Sequence, residues 1–83
     1  MKRLVIQRDA IRNLQRIPNP DRERVTSRIE ALAEEPPPAN LDVLKLTQSD
    51  AWRLRVGNWR VIFEMTDTTV EILNVLPRGR AYR

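Results

Sequence analysis

The residues with most to offer chemically are arginines set around one Gly-Asn pair, in the run W-R-L-R-V-G-N-W-R-V-I-F from Trp52 to Phe63. Apolar and basic residues alternate on both sides of that pair. Gly and Asn tolerate the positive φ of tight turns, so the pair between alternating runs is a hairpin signal. A two-residue turn at Gly57 and Asn58 sets Val56 against Trp59, Arg55 against Arg60, Leu54 against Val61 and Trp52 against Phe63. Directly opposed residues share a face. Trp52, Leu54, Val56, Trp59, Val61 and Phe63 then form a core face. Arg53, Arg55 and Arg60 occupy the other. Three guanidinium groups on one face repel one another, which suits that face to an anion.

RNA is one substrate that such a face can serve. Cutting RNA requires only that the ribose 2′-OH be deprotonated and aligned with phosphorus, and that the developing charge be stabilised. No metal is needed. Arg53, Arg55, Arg60 and Arg78 can hold the scissile phosphate, and Tyr82 can stack on a base or orient a phosphate oxygen. The proton is the harder question. The chain has no His, and Arg is a poor base because its pKa exceeds about 12. Glu64, Glu71, Lys45 and Tyr82 remain as acid or base groups. Plainer roles exist for each of these residues. Exposed arginines are often only a solvated surface. Glu64 can simply pair with Arg55 or Arg60, and Tyr82 can anchor the tail. Trp52, Trp59 and Phe63 suit a core better than a base-stacking platform. The two glycines, Gly57 and Gly79, stand alone and make no phosphate-cradling loop.

The bulk composition narrows the class. Thirteen of the fifteen basic residues are Arg, and the net charge is +4. That excess favours nucleic acid or an acidic protein partner, although a generally Arg-rich proteome gives the same composition. The absence of Cys and His removes disulfides, thiolate nucleophiles, His triads and the usual zinc ligands. No apolar stretch approaches the roughly 20 residues that span a bilayer. The first residues carry too short an apolar run for a secretory signal. A cytoplasmic protein is expected, with no membrane partner. Eighty-three residues suit one domain, 1–83, with no room for a second core. Such a chain buries about 60–65% of its unfolded surface, a small margin that a partner can widen.

The positioning elements follow from periodicity. Leu4 to Ile6 reads as a strand, with Leu4 and Ile6 on one side and Val5 on the other. Ala10, Ile11, Leu14 and Ile17 recur at helical spacing, with Arg12, Asn13, Gln15 and Arg16 outward. Gln7 or Asp9 is expected to cap this helix. Pro18-Asn19-Pro20 ends it and starts another, with Asn19 as cap and Pro20 first inside. Val25, Ile29, Leu32 and Ala33 mark the second apolar stripe, and Arg22, Arg24 and Arg28 a wet face. Pro36-Pro37-Pro38 is a rigid connector. Leu41 to Leu46 is a strand and Thr47 to Asp50 a turn. The Arg-bearing hairpin runs to Met65, and Thr66 to Thr69 reverses the chain. Val70 to Val75 is the last strand, with Met65 against Val70 and Glu64 against Glu71. That alternation adds Glu64, Glu71, Leu73 and Val75 to the arginine face. The expected fold is α+β, with an N-terminal strand and a helical hairpin packed on one face of a small, mostly antiparallel sheet. The helices need the Trp/Leu/Val/Phe face, so the arginine face is expected to stay open.

The stretch L-K-L, then W-R-L-R-V-G-N-W-R-V-I-F-E, then V-E-I-L-N-V-L-P-R-G-R-A-Y, resembles the RelE/ParE superfamily of bacterial toxins. The preceding helical hairpin ending I-E-A-L-A-E-E-P resembles it too, so the likeness covers nearly the whole chain. In the RelE-like branch the resemblance implies an mRNA endonuclease of a type II toxin–antitoxin system, acting in the ribosomal A site by 2′-OH attack. It implies no metal or other cofactor. It also implies a small RelB-like antitoxin with an acidic or amphipathic segment, which binds the toxin in a hetero-oligomer. By position Arg53 and Arg55 match the family's paired basic residues, and Arg60 its phosphate-binding Arg after the turn. Arg78 matches the Arg after the last strand, placed to protonate the leaving oxygen, and Tyr82 the terminal Tyr. These five are the expected catalytic residues. Lys45, Arg80 and Arg83 are expected to bind RNA, and Glu64 to act as acid or base. Arg stands at both paired positions where some members have Lys, and Pro77 where many have His. No C-terminal helix is expected after Tyr82. The same superfamily includes ParE-like poisons of DNA gyrase, and a toxin that only binds its antitoxin is a third possibility.

Overall fold

A computed structural model describes residues 1–79 of the chain. The elements run β1 (Arg3–Ile6), α1 (Arg8–Arg16), α2 (Asp21–Leu32), β2 (Asp42–Lys45), β3 (Trp52–Val56), β4 (Trp59–Met65) and β5 (Thr69–Pro77). The strands form one sheet in the order β1-β5-β4-β3-β2. Strands β2 to β5 pair antiparallel, whereas β1 pairs parallel with β5. A parallel neighbour needs a long crossover, and everything from α1 to β4 supplies it. The architecture is the expected α+β one, two helices against a five-stranded, mostly antiparallel sheet.

The hairpin register is the one set by the Gly-Asn pair, from Val56↔Trp59 out to Trp52↔Phe63. Gly57 has φ +58, and Asn58 is not among the positive-φ residues. A positive φ at the first central position alone is the pattern of a type II′ turn, which matches the twist of the flanking strands. The helices cover one sheet face. Ala10 and Ile17 of the first helical segment and Val25, Ile29 and Leu32 of α2 pack on Leu54, Val56, Val61, Phe63, Val70, Ile72 and Val75. Trp52 and Trp59 border this core. Among the described residues no helix is long and apolar enough to cross a membrane.

Four local expectations need correction. The α1 stripe is Ala10, Asn13, Leu14 and Ile17, at i, i+3, i+4 and i+7, and Ile11 is 44% exposed. Asn13 turns inward because its Oδ1 accepts the Val75 N–H at 2.9 Å. Gln7 occupies the N-cap position of α1 but makes no capping bond; its Nε2 donates to Glu71 Oε2 instead. Helix α2 begins at Asp21, with Pro20 rather than Asn19 at the cap position.

The fourth correction concerns β5. Phe63 pairs with Ile72, but Ile62 pairs with Asn74, so Leu73 is an extra residue in a β-bulge. Beyond the bulge the facing of β5 reverses. Val75 enters the core, while Asn74 lies opposite Ile62 and Leu76 opposite Arg60. Plain alternation after Val70 and Ile72 would have driven Asn74 into the core, an unfavourable place for an amide. The bulge exchanges it for Val75. Strand β1 ends opposite Ile72, and past that point Asn13 serves the β5 backbone.

Candidate functional site

The sheet face away from the helices carries two transverse ranks of side chains. One runs Leu44, Arg53, Ile62, Asn74 across β2 to β5. The next, nearer the Gly-Asn turn, runs Asp42, Arg55, Arg60, Leu76. Beyond Ile62, Glu64 lies opposite Glu71, which neighbours Val5 of β1. The register therefore gathers Arg53, Arg55 and Arg60 in a block two residues wide, with Arg55 and Arg60 directly opposed.

The face is less bare than alternation suggests. Arg55 is exposed, but Arg53 is only 9% exposed and Arg60 only 7%. Their apolar neighbours explain this. Leu44 and Ile62 flank Arg53 and Leu76 neighbours Arg60, so the arginine stems lie along apolar surface. Arg60 folds back on the turn, its Nη1 donating to Gly57 O at 3.2 Å and Trp59 O at 3.1 Å. Arg53 Nη2 donates to Asp42 Oδ1 at 3.4 Å. Arg53 Nε is buried and has no acceptor among the described residues. An unsatisfied buried donor costs about 1–3 kcal/mol, so this nitrogen is a standing demand for an acceptor.

The other residues of interest distribute unevenly. Arg78 is exposed and follows β5 directly, its backbone N–H donating to Asn58 O at 2.7 Å. That bond ties the end of β5 to the turn beside the Arg55–Arg60 rank. Lys45 lies opposite Trp52, on the helix side of the sheet. Its Nζ donates to Ser49 O at 2.7 Å and sits 5.7 Å from the Trp52 ring centroid. Alternation along β2 thus separates Lys45 from the arginines. Glu64 is half-exposed on the arginine face, while Glu71 accepts from Gln7. Arg80, Tyr82 and Arg83 lie outside the described residues. Among the described residues no three His, Cys, Asp or Glu side chains are grouped to hold a metal ion. The block offers fixed and free guanidinium donors to an anion.

Asp42 is a neighbour that the sequence reading missed. Its signal was available: a turn centred on Thr47 to Asp50 that sets Lys45 against Trp52 also sets Asp42 against Arg55. Asn74 and Leu76 were missed because they depend on the bulge.

A protein-family model described as "ParE toxin of type II toxin-antitoxin system, parDE" matches residues 4–82. Among solved structures, the archaeal RelE–RelB complex from Pyrococcus horikoshii OT3 contains a chain 34% identical, with a TM-score of 0.80 over 96% of this chain and 98% of that one. The RelB–RelE antitoxin–toxin complex from Methanococcus jannaschii gives 25% identity and a TM-score of 0.78, covering 94% of each chain. The intact E. coli RelBE toxin–antitoxin complex, at 19% identity and a TM-score of 0.72 over 96% of this chain and 100% of that one, shares the fold. A search among curated proteins returned no match.

Proposed function

Since the chain belongs to the ParE toxin family of type II toxin–antitoxin systems, within the RelE/ParE superfamily, we propose that it is a RelE-like mRNA endonuclease that cuts translated message in the ribosomal A site. The observation that supports this most is the gathering of Arg53, Arg55 and Arg60 on the sheet face away from the helices, with Arg55 exposed at its centre. Arg53, closed to solvent, contributes fixed positive charge beneath a phosphodiester bound over the face. Arg55, exposed and directly opposite Arg60, supplies the donor that the phosphate can reach. Charge-assisted bonds of this kind are roughly twice as strong as neutral ones.

The 2′-OH gives up its proton and attacks phosphorus, the bond to the 5′ oxygen breaks, and the products carry a 2′,3′-cyclic phosphate and a 5′-OH. The arginines stabilise the charge that builds on the phosphoryl oxygens. Glu64, at the margin of the same face, is the carboxylate assigned to take the first proton, Asp42 being engaged by Arg53. Arg78, whose backbone is tied to the turn, is assigned the proton transfer to the leaving oxygen. Tyr82 orients the substrate, and Arg80 and Arg83 add RNA-binding charge, whereas Lys45 lies on the other side of the sheet and can meet RNA only beyond the arginine face. The step uses an internal nucleophile and calls for no metal or cofactor. The partner is a RelB-like antitoxin with an acidic or amphipathic segment that neutralises the cluster in a hetero-oligomer. Its setting is the cytoplasm, where ribosomes translate. The RelE–RelB composition of the similar structures supports an antitoxin partner.

A second reading, a ParE-like poison of DNA gyrase, is favoured by the description of the matching family model. Induction in bacteria separates the two. In-frame 5′ ends within a translated transcript support the nuclease. Intact message with lost supercoiling supports the gyrase poison. Unimpaired growth leaves a chain that only binds antitoxin.

A further inference from the structure

We propose that Asp21 and Trp59 are positioning residues, which fix the Gly57–Asn58 turn to the start of α2 and through it set Arg60 and Arg78. The proposal rests on the reading of the arginine face as the working site. Trp59 Nε1 donates to Asp21 Oδ2 at 3.1 Å, across 38 residues of sequence. The acceptor is a charged carboxylate in the first turn of a helix, where negative charge is favoured. Arg24 lies 3.9 Å from the other carboxylate oxygen, a long and exposed pairing of little weight.

Val25 and Val56 pack at the base of the turn, and among the described residues the indole–carboxylate bond is the hydrogen bond between turn and helix. Gly57 has no side chain, and a Cβ built there would meet nothing within 4 Å. A pocket of about 110 Å³, lined by Asp21, Arg24, Val25 and the residues Val56 to Trp59, separates turn from helix. The indole–carboxylate bond crosses this gap. Three consecutive carbonyls of the turn are then used on the arginine side. Gly57 O and Trp59 O accept from Arg60 Nη1, and Asn58 O accepts from the Arg78 N–H at 2.7 Å. A turn that shifts carries both arginines with it. Misplacement by about 1 Å can cost on the order of 100-fold in rate.

The test uses the full chain with Asp21→Ala, Asp21→Asn, Trp59→Phe and the double variant Asp21→Ala/Trp59→Phe. Trp59→Phe keeps a packed ring and loses the donor, whereas Asp21→Asn keeps an oxygen acceptor. Two readouts are taken. The first is the ¹H–¹⁵N signals of the Gly57 to Arg60 amides, the Arg78 amide and Arg60 Nε in the free protein. The second is single-turnover cleavage of message on ribosomes. Asp21→Ala and Trp59→Phe are expected to shift and broaden the turn and arginine signals, with the α1 and β1 signals unmoved. They should lower the cleavage rate at saturation by about 10–100-fold, with KM changed less than about threefold. Asp21→Asn should recover most of both. The double variant should be no worse than the poorer single one, because both remove the same bond. Arg24→Ala should leave the turn signals in place. Unmoved turn signals in Asp21→Ala, or an additive double variant, overturn the proposal. If the unaltered protein does not cleave, the nuclease reading falls, and the turn signals still decide whether Asp21 and Trp59 set the arginines.

Discussion

Replacing Arg53 by Met should make the protein more stable and less active. The Arg53 side chain is 11% exposed, and its bond is to Asp42, whose side chain is 54% exposed. A pair with one partner so wet contributes about 0.2–1 kcal/mol. Against it stands the buried Nε, which has no acceptor among the described residues, a loss of about 1–3 kcal/mol. Arg55 and Arg60 share the face, so removing one like charge adds a few tenths of a kcal/mol in the same direction. Met keeps an unbranched stem against Leu44 and Ile62 and brings no polar atom that demands a partner. The balance is a gain on the order of 1 kcal/mol in the free protein.

Urea unfolding followed by the fluorescence of Trp52 and Trp59 measures this. With a slope of about 1–2 kcal/mol/M, the midpoint should rise by about 0.5–1 M without a change in slope. The melting temperature should rise by about 4–8 °C. Cleavage should fall sharply in the same variant. A loss of stability beyond about 1 kcal/mol would make Arg53 a structural residue and refute the reasoning. So would a stabilised variant that cleaves normally.

Asn13→Ala should destabilise by about 1–2 kcal/mol, because the Val75 N–H loses its acceptor; faster hydrogen exchange at the Val75 amide locates the effect. Gly57→Ala should cost about 1–3 kcal/mol in urea titration, from the backbone conformation alone, since φ is +58 and the added Cβ meets nothing within 4 Å. Phe63→Ala removes the largest fully buried side chain and should cost about 3–5 kcal/mol. The free variant should then be largely unfolded by circular dichroism and regain structure when a tight-binding antitoxin is added.

The parts of the fold legible in the sequence are those governed by short-range rules. Gly57-Asn58 set the hairpin register, and with it the shared face of Arg53, Arg55 and Arg60. The α2 stripe of Val25, Ile29, Leu32 and Ala33 is buried as its spacing requires. The misses come from exchanges between distant residues. Asn13 sits on the buried side of α1 because β5 needs an acceptor 62 positions later. Val75 changes face because a bulge at Leu73 spares Asn74 from the core. One clue was present: Asn74 carries the same parity as Val70 and Ile72, a polar residue where plain alternation expects an apolar one. The burial of Arg53 and Arg60 was not legible, since it depends on Leu44, Ile62 and Leu76 arriving from three other strands or positions. Neither was the link from Asp21 to Trp59, two residues that each had an adequate local role.

Single-turnover cleavage of message on programmed ribosomes, compared between the unaltered protein and Arg55→Ala or Arg78→Ala, tests the arginine face most directly. Both positions are exposed, so both variants should keep the circular dichroism and unfolding midpoint of the parent. The parent is expected to release 5′-OH ends, and each variant to cleave about 100–1,000-fold more slowly. Undiminished cleavage by both folded variants would contradict the account, as would a parent that leaves the message whole.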